Sequence, residues 1–246
     1  MILELDCGNS LIKWRVISAA DGSLLASSVT SQAADLAQEL LVHGVGKITR
    51  CRLVSVRSEE ETCALVDVLS SALGVEVLRV CPAKDVAGVT NGYRDQGRLG
   101  LDRWLAIIAA YGMCQGPCLI IDLGTAVTVD LVACGGVHLG GYIAPGIALL
   151  RGQLVAHTRR IQYEPAETSV ALGAITPGRS TAEGVERGCL IMLRSYVASQ
   201  IGLAEDQLGK DFTIYVTGGD AALVADLPGV RCVPDLVFRG LAIACP

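Results

Sequence analysis

Two short segments of this 246-residue chain each join an aspartate, a glycine and small polar side chains between apolar runs. One is residues 6–10, sequence DCGNS, and the other is residues 122–126, sequence DLGTA. Glycine lets a backbone approach phosphoryl oxygens, hydroxyl and amide groups donate hydrogen bonds to them, and aspartate holds a cation that offsets their charge. The pair therefore favours a nucleotide ligand, although one Asp-x-Gly segment alone is more often an ordinary turn.

Apolar runs enter and leave both turns, which predicts two hairpins: strands at 2–5 and 11–17, and strands at 119–121 and 127–132. The turns lie about half the chain apart, which indicates two homologous halves closing on one site. The segment QGP at 115–117 is the best boundary, so the predicted domains are residues 1–115 and residues 116–246.

Helical and strand-like patterns alternate in both halves. The predicted helices are 33–42, 60–73, 102–111, one beginning at Gly146, 183–198 and 238–244. The further predicted strands are 51–56, 75–80, one ending at Gly140 and Gly141, and 213–216. This alternation predicts an α/β fold in two similar lobes.

Composition excludes several classes of protein. Hydrophobic residues make up 51% of the chain and charged residues 18%, which suffices for a buried core. A net charge of −5 without a run of lysine and arginine argues against a nucleic-acid partner. No signal peptide or membrane-spanning apolar run is recognisable, so we expect a cytoplasmic protein. The ten cysteines form no Cys-x-x-Cys and the three histidines are scattered, so neither zinc nor disulfides are expected.

A third nucleotide signal lies at residues 216–220, sequence VTGGD, where an apolar strand stops at Gly218 and Gly219. Such a stop before a helix lets a ligand lie against bare backbone at the helix N-terminus. The alternative is an ordinary strand-to-helix connection with Asp220 as the N-cap.

The richest polar stretch between the halves holds Tyr93 and residues 100–103, sequence GLDR. Phosphoryl transfer needs a carboxylate to orient or deprotonate the nucleophile, and Asp102 suits that role. Arg103 could bind a substrate carboxylate or a phosphate, and Tyr93 could offer its hydroxyl. The alternative is that Asp102 caps an apolar helix while Arg103 is merely solvated.

These motifs, together with residues 140–146, sequence GGYIAPG, resemble the ordered motifs of type III pantothenate kinases over nearly the whole chain. The resemblance implies two actin-like (ribonuclease H-like) lobes of the actin, sugar-kinase and Hsp70 superfamily, with the ATP site in the cleft between them. It further implies ATP-dependent phosphorylation of the primary hydroxyl of pantothenate to 4'-phosphopantothenate, the first step of coenzyme A biosynthesis.

The resemblance also implies the site residues. ATP would contact Asp6, Cys7, Gly8, Asn9, Ser10, Leu11, Ile12, Lys13, Thr125, Gly218 and Gly219. Pantothenate would contact Tyr93, Gly100, Leu101, Asp102, Arg103 and Thr181. Asp102 would be the general base, Asp6 would hold Mg²⁺ directly or through water, and Asp122 would bind K⁺ or NH₄⁺. Without the resemblance, Thr181 would simply be a helix cap before Glu183.

The chain departs from the family at one point, because Tyr93 is followed by RDQG where the family commonly has a proline. That puts the shape of this loop in doubt. The resemblance implies a homodimer with the substrate pocket near the subunit interface. Two other functions stay open: another small-molecule kinase of the superfamily, such as a sugar or acetate kinase, and a non-catalytic nucleotide-binding regulator.

Overall fold

The structure is a computed structural model that describes residues 1–31, 33–43, 45–164, 166–168 and 175–246. Within these residues the chain forms two compact units, one made of Met1–Met113 with Asp235–Pro246 and the other of Cys114–Pro234. The predicted division, 1–115 and 116–246, differs in its last segment, because residues 235–246 pack with the N-terminal unit.

Twelve strands are formed by the described residues: β1 (Ile2–Cys7), β2 (Ile12–Ile17), β3 (Leu24–Thr30), β4 (Arg50–Ser55), β5 (Val77–Arg79), β6 (Asp85–Val86), β7 (Val89–Thr90), β8 (Cys118–Leu123), β9 (Ala126–Val132), β10 (His138–Pro145), β11 (Thr213–Thr217) and β12 (Val230–Cys232). The main α-helices are α1 (Ala33–Val42), α2 (Glu59–Leu73), α3 (Leu101–Cys114), α4 (Ile147–His157), α5 (Thr181–Leu208) and α6 (Leu236–Ala244).

The first unit contains a five-stranded sheet in the order β3-β2-β1-β4-β5. The hairpin β1–β2 and the pair β2–β3 are antiparallel, whereas β4 and β5 run parallel to β1. Alternate residues of β1, namely Leu3, Leu5 and Cys7, enter the core on one face. Helix α3 is buried around most of its circumference, as its nearly continuous apolar sequence requires.

The second unit repeats this plan with a sheet in the order β10-β9-β8-β11-β12. Strands β8, β9 and β10 are antiparallel, and β11 and β12 run parallel to β8. Each unit therefore has a hairpin whose first strand is the middle strand of its sheet. The prediction of two similar α/β lobes is confirmed.

Three predicted elements differ in length or type from those in the structure. The strand predicted to end at Gly140 and Gly141 continues to Pro145, because its pairing with β9 runs on to Ala126. The helix predicted at 183–198 spans Thr181–Leu208. The helix expected after Gly219 is only a 3-10 turn at Ala221–Val224.

None of the helices among the described residues is both long and apolar enough to cross a membrane.

Candidate active site

The first carboxylate-glycine turn joins β1 to β2 in the N-terminal unit. Asp6 is half-buried near the end of β1, and the turn closes through the Gly8 amide, which donates to the Leu11 carbonyl at 3.0 Å. Asn9, Ser10 and Leu11 are exposed, so their amides and side chains can reach a ligand. The predicted turn is therefore open to an anion on its outer side.

Two of the residues predicted to bind ATP point into the core. Cys7 and Ile12 are fully buried, so only their backbone atoms could contact a ligand. Burial raises the pKa of the Cys7 thiol to about 12, which keeps it protonated as an apolar core group. Lys13 is exposed and lies opposite Asp6 in the hairpin register.

Arg57 also contacts this turn, and no sequence motif pointed to it. Its Nε donates to the Gly8 carbonyl at 2.9 Å from the segment that follows β4. Because β4 is parallel to β1, both strands end at the same edge of the sheet. A single arginine after an apolar strand carries no sequence signal; only the strand order identifies it.

The predicted substrate residues form a second cluster within the same unit. Arg103 Nη1 donates to the Tyr93 hydroxyl at 2.6 Å, and the guanidinium carbon lies 5.4 Å from the centroid of the same ring, within the range of a cation–π contact. Asp102 is half-buried in the first turn of α3, and its Oδ1 accepts from the Arg103 amide at 2.8 Å. Three residues predicted to carry the chemistry are therefore neighbours.

The motif before α3 begins with Gly100, and the space around this residue explains why it is a glycine. A Cβ at this position would lie 2.7 Å from Asp102 Oδ1, so any side chain would displace the carboxylate. The structure also excludes one alternative, because Arg103 is only 6% exposed and is not a merely solvated side chain.

The segment RDQG after Tyr93 is held by Asp95. The Asp95 carboxylate accepts from the Gly97 amide at 3.1 Å and caps a 3-10 turn at Gln96–Arg98. A side-chain cap thus orders this loop without a proline.

The second carboxylate-glycine turn, in the other unit, brings three predicted motifs together. The Gly146 amide donates to the Thr125 carbonyl at 3.0 Å, and the Asp220 amide donates to the Leu123 carbonyl at 3.0 Å. Gly218 has φ +93°, and a Cβ there would collide with Asp122 Oδ1 and with the Leu123 carbonyl group. The glycines allow these backbones to gather around the Asp122 carboxylate.

The prediction of a helix N-terminus beside Gly219 is wrong, because only a short 3-10 turn follows this residue. Asp220 precedes this turn, but its side chain makes no capping hydrogen bond. Burial raises the pKa of Asp220, and the charge of Arg151 partly offsets this increase. Gly219 is exposed, and a Cβ placed on it would meet no atom within 4 Å, so a ligand can approach its backbone.

Thr181 is the first residue of α5 and is exposed. The helix cap is Ser180, whose hydroxyl accepts from the Glu183 amide at 3.2 Å, so the alternative that Thr181 is the cap is wrong. Thr181 borders a groove of about 530 Å³ between α4 and α5, lined mainly by apolar residues and glycines.

Both turns suit hard cations by their chemistry. Asp6 and Asp122 supply carboxylate oxygens, and carbonyl groups lie beside Asp122, a donor set preferred by Mg²⁺ and by alkali cations. Within the described residues, His, Cys, Asp and Glu form no group of three or more that could hold a metal. A cation here would therefore share its coordination with water or ligand oxygens, as a nucleotide-bound cation does.

Known structures share this fold. A putative Baf family transcriptional activator from Campylobacter jejuni has 19% identity to the chain, a TM-score of 0.62 and coverage of 98% of this chain and 96% of its own. A putative 2-dehydro-3-deoxygalactonokinase from Sinorhizobium meliloti has 15% identity, a TM-score of 0.51 and coverage of 99% and 98%. The fold is the two-lobed α/β fold of the actin-like class.

Sequence comparison identifies the family. The family model for type III pantothenate kinase matches residues 2–202. A protein named type III pantothenate kinase from Pseudomonas savastanoi pv. phaseolicola is 56% identical over 247 aligned residues, covering 100% of this chain and 99% of the relative. The chain belongs to the type III pantothenate kinase family.

Proposed function

We propose that this protein transfers the γ-phosphoryl group of ATP to the primary hydroxyl of pantothenate, releasing ADP and 4'-phosphopantothenate. The reaction is the first step of coenzyme A biosynthesis. The observation that carries the proposal is the 56% identity over the whole chain to a type III pantothenate kinase. The cluster of Asp102, Arg103 and Tyr93 supports it with the residue types that the reaction needs.

Asp102 is proposed as the general base. The pantothenate hydroxyl oxygen forms a bond to the γ-phosphorus, the bond from that phosphorus to the bridging oxygen breaks, and ADP leaves with the bond electrons. The hydroxyl proton passes to the Asp102 carboxylate. The Arg103 amide donates to Asp102 Oδ1 and orients this carboxylate, and Gly100, which has no Cβ, leaves the space that it occupies.

Pantothenate is proposed to be bound by Tyr93, Arg103, Gly100, Leu101 and Thr181. Its carboxylate matches the fork of a guanidinium, and Arg103 is already oriented by its hydrogen bond to Tyr93. The positive charge of this guanidinium favours an acidic substrate over an uncharged sugar. Because the side chain is buried, it loses little freedom on binding.

ATP is proposed to bind the two turns, through residues 6–13 on one and Thr125, Gly218 and Gly219 on the other. Asp6 would hold Mg²⁺, directly or through water, and Asp122 would bind K⁺ or NH₄⁺. These cations supply positive charge that offsets the phosphates and the developing charge of the transition state. The exposure of Asn9 and Ser10 beside Gly8, and the Leu123 carbonyl close to Asp122, support this assignment.

The enzyme is further proposed to be cytoplasmic and to work as a homodimer with the pantothenate pocket near the subunit interface. The position of Thr181 on the exposed beginning of α5, beside an apolar groove, supports the dimer.

The test is ADP release from Mg²⁺-ATP with pantothenate, in K⁺ and in Na⁺, by wild type and by Asp102→Asn. We expect kcat to fall about 10²–10⁴-fold in Asp102→Asn, because the amide cannot accept the proton. Asp85→Asn is the matched control, since Asp85 is an exposed carboxylate bonded to Thr90 in the same unit.

The rival functions give different results. Preference for an uncharged sugar over pantothenate would contradict the assignment. Nucleotide binding by folded wild type without turnover of any acceptor would indicate a regulator. Wild-type activity in Asp102→Asn would show that another group takes the proton.

A further inference from the structure

Asn91 lies just before Tyr93 and is almost completely buried, with 5% of its surface exposed. It follows β7 in the small hairpin β6–β7, and its own amide donates to the Lys84 carbonyl at 2.7 Å. A buried amide side chain must use its donors and its acceptor within the protein.

The Asn91 side chain contacts three backbone segments at once. Its Oδ1 accepts from the Tyr93 amide at 3.0 Å. Its Nδ2 lies 3.4 Å from both the Ala83 and the Gln96 carbonyl oxygens, as donor to each. The residue thus joins the chain before the hairpin, the residue that carries the phenol and the turn at Gln96–Arg98.

Asn91 is linked to Arg103 through Tyr93. Its hydroxyl accepts from Arg103 Nη1, so moving the Tyr93 backbone would move the partner that orients the guanidinium. Small displacements of such groups are costly for catalysis and binding, because a substrate must meet them in one geometry.

We infer that Asn91 is a positioning residue for pantothenate: its side chain holds Tyr93, and through Tyr93 Arg103, in the orientation that receives the substrate. This inference rests on the proposed function, which assigns Tyr93 and Arg103 to pantothenate. Asn91 itself touches neither substrate nor reacting atoms.

The experiment compares wild type, Asn91→Ala and Asn91→Ser, with Thr90→Val as the control. Thr90 is the neighbouring residue, and its hydroxyl donates to exposed Asp85 at 2.7 Å, so Thr90→Val removes a hydrogen bond from the same hairpin without touching Tyr93. The readouts are KM for pantothenate, KM for ATP, kcat, and hydrogen exchange at the Tyr93 amide.

In Asn91→Ala we expect the Tyr93 amide to exchange faster and KM for pantothenate to rise about tenfold, while kcat and KM for ATP change less than about threefold. Thr90→Val should change neither KM. Asn91→Ser keeps a neutral oxygen acceptor for the Tyr93 amide, which lies two residues further along the chain, so it also covers the case in which the alanine variant does not fold. In Asn91→Ser we expect slow Tyr93 exchange together with a pantothenate KM near the wild-type value.

The inference is overturned if Tyr93 exchange is unchanged in Asn91→Ala, if both KM values and kcat worsen together, or if Thr90→Val has the same effect. A tenfold higher pantothenate KM in Asn91→Ser with slow Tyr93 exchange also overturns it. Failure of the proposed function looks different, because wild type would not phosphorylate pantothenate at all. The exchange measurement then decides by itself whether Asn91 holds Tyr93.

Discussion

The adjacent residues Gly218 and Gly219 differ in what could require a glycine at each position. Gly218 has a positive φ and no room for a Cβ against Asp122 and Leu123, so its need for glycine arises within the protein. Gly219 is exposed with open space, so any need for glycine there comes from a ligand. A pair of alanine substitutions can separate the two requirements.

We predict that Gly218→Ala lowers the free energy of unfolding by about 1–3 kcal/mol, because alanine at this φ is strained and its Cβ collides. Gly219→Ala should stay within about 0.5 kcal/mol of wild type while raising KM for ATP. Urea unfolding and steady-state kinetics measure both quantities. An unchanged KM for ATP in Gly219→Ala would show that the nucleotide does not approach this residue.

The sequence allowed candidate site residues to be predicted where a short motif contains them. It did not allow the contacts between distant segments to be predicted. The polar stretch that holds Tyr93 and the GLDR motif identified Asp102, Arg103 and Tyr93 as candidates because their chemistry is local. Arg57 contacts Gly8 only because β4 lies beside β1, and the burial of Arg103 depends on how α3 packs. Such facts arise from strand order and packing, which no short segment encodes.

Elements were predictable where the apolar pattern was strong. Both hairpins and the helices α1, α2 and α3 follow from it, and the repeated strand order supports an origin in two similar halves. Strand β3 gives no such signal, because its sequence LLASSVT does not alternate regularly between apolar and polar residues. Helix α5 continues ten residues beyond its predicted end, where Gly202 and polar residues interrupt the apolar pattern.

The paired strands β1 and β4 carry two buried thiols, Cys7 and Cys51. Burial raises the pKa of each to about 12 from the ordinary value of 9. The native state therefore keeps protons that the unfolded chain releases above about pH 9, so stability is present below pH 9 and is lost as pH rises toward 12.

We predict that the free energy of unfolding falls by up to about 1.4 kcal/mol per pH unit for each thiol in this window, and that Cys51→Ala reduces the slope. Urea unfolding from pH 8 to 10.5 measures it. Val54→Ala is the control: it removes a buried side chain of the same strand, so it should lower stability at every pH without changing the slope. Equal slopes for Cys51→Ala and wild type would contradict the prediction.

On the scale of the whole chain, the C-terminal residues return to the N-terminal unit. Glu4 is fully buried on β1 and binds Arg15 Nε at 2.6 Å and Arg52 Nη1 at 2.9 Å. Arg15 also pairs with Asp235 at 3.1 Å and lies over the ring of Phe238 in α6. Arg15 thus joins the buried Glu4 to Asp235, more than 200 positions further along the chain, a contact that a sequence alone does not indicate.

We predict that Glu4→Gln destabilises the protein by about 3–5 kcal/mol, because it leaves the buried Arg52 guanidinium without its counter-charge and leaves Arg15 paired with Asp235 alone. Glu59→Gln is the control, since it breaks an exposed pair with Arg79 and should change stability little. Thermal and urea unfolding measure the difference. An equal decrease in the free energy of unfolding of the two variants would show that the buried Glu4 pairs contribute no more than an exposed pair.

The surface of α5 supports the proposed dimer. Thr181, Gly184, Gly188 and Met192 follow one another at three- or four-residue intervals along the helix and line the groove beside α4. Met192 is 59% exposed, and the two glycines have open space above them. An uncharged stripe of this kind allows close approach of a second helix and is costly to leave in water.

We therefore predict that wild type has twice the 25.7 kDa chain mass in light scattering after size exclusion, and that Gly188→Arg is a folded monomer. Arginine is a good helix former, so the substitution puts bulk and charge on the stripe without breaking α5. Val68→Arg, on the exposed side of α2, should remain a dimer. Because the proposed pantothenate pocket includes Thr181 on the same stripe, the monomer should also show a higher KM for pantothenate. A monomeric wild type with full activity would exclude both the interface and its part in the site.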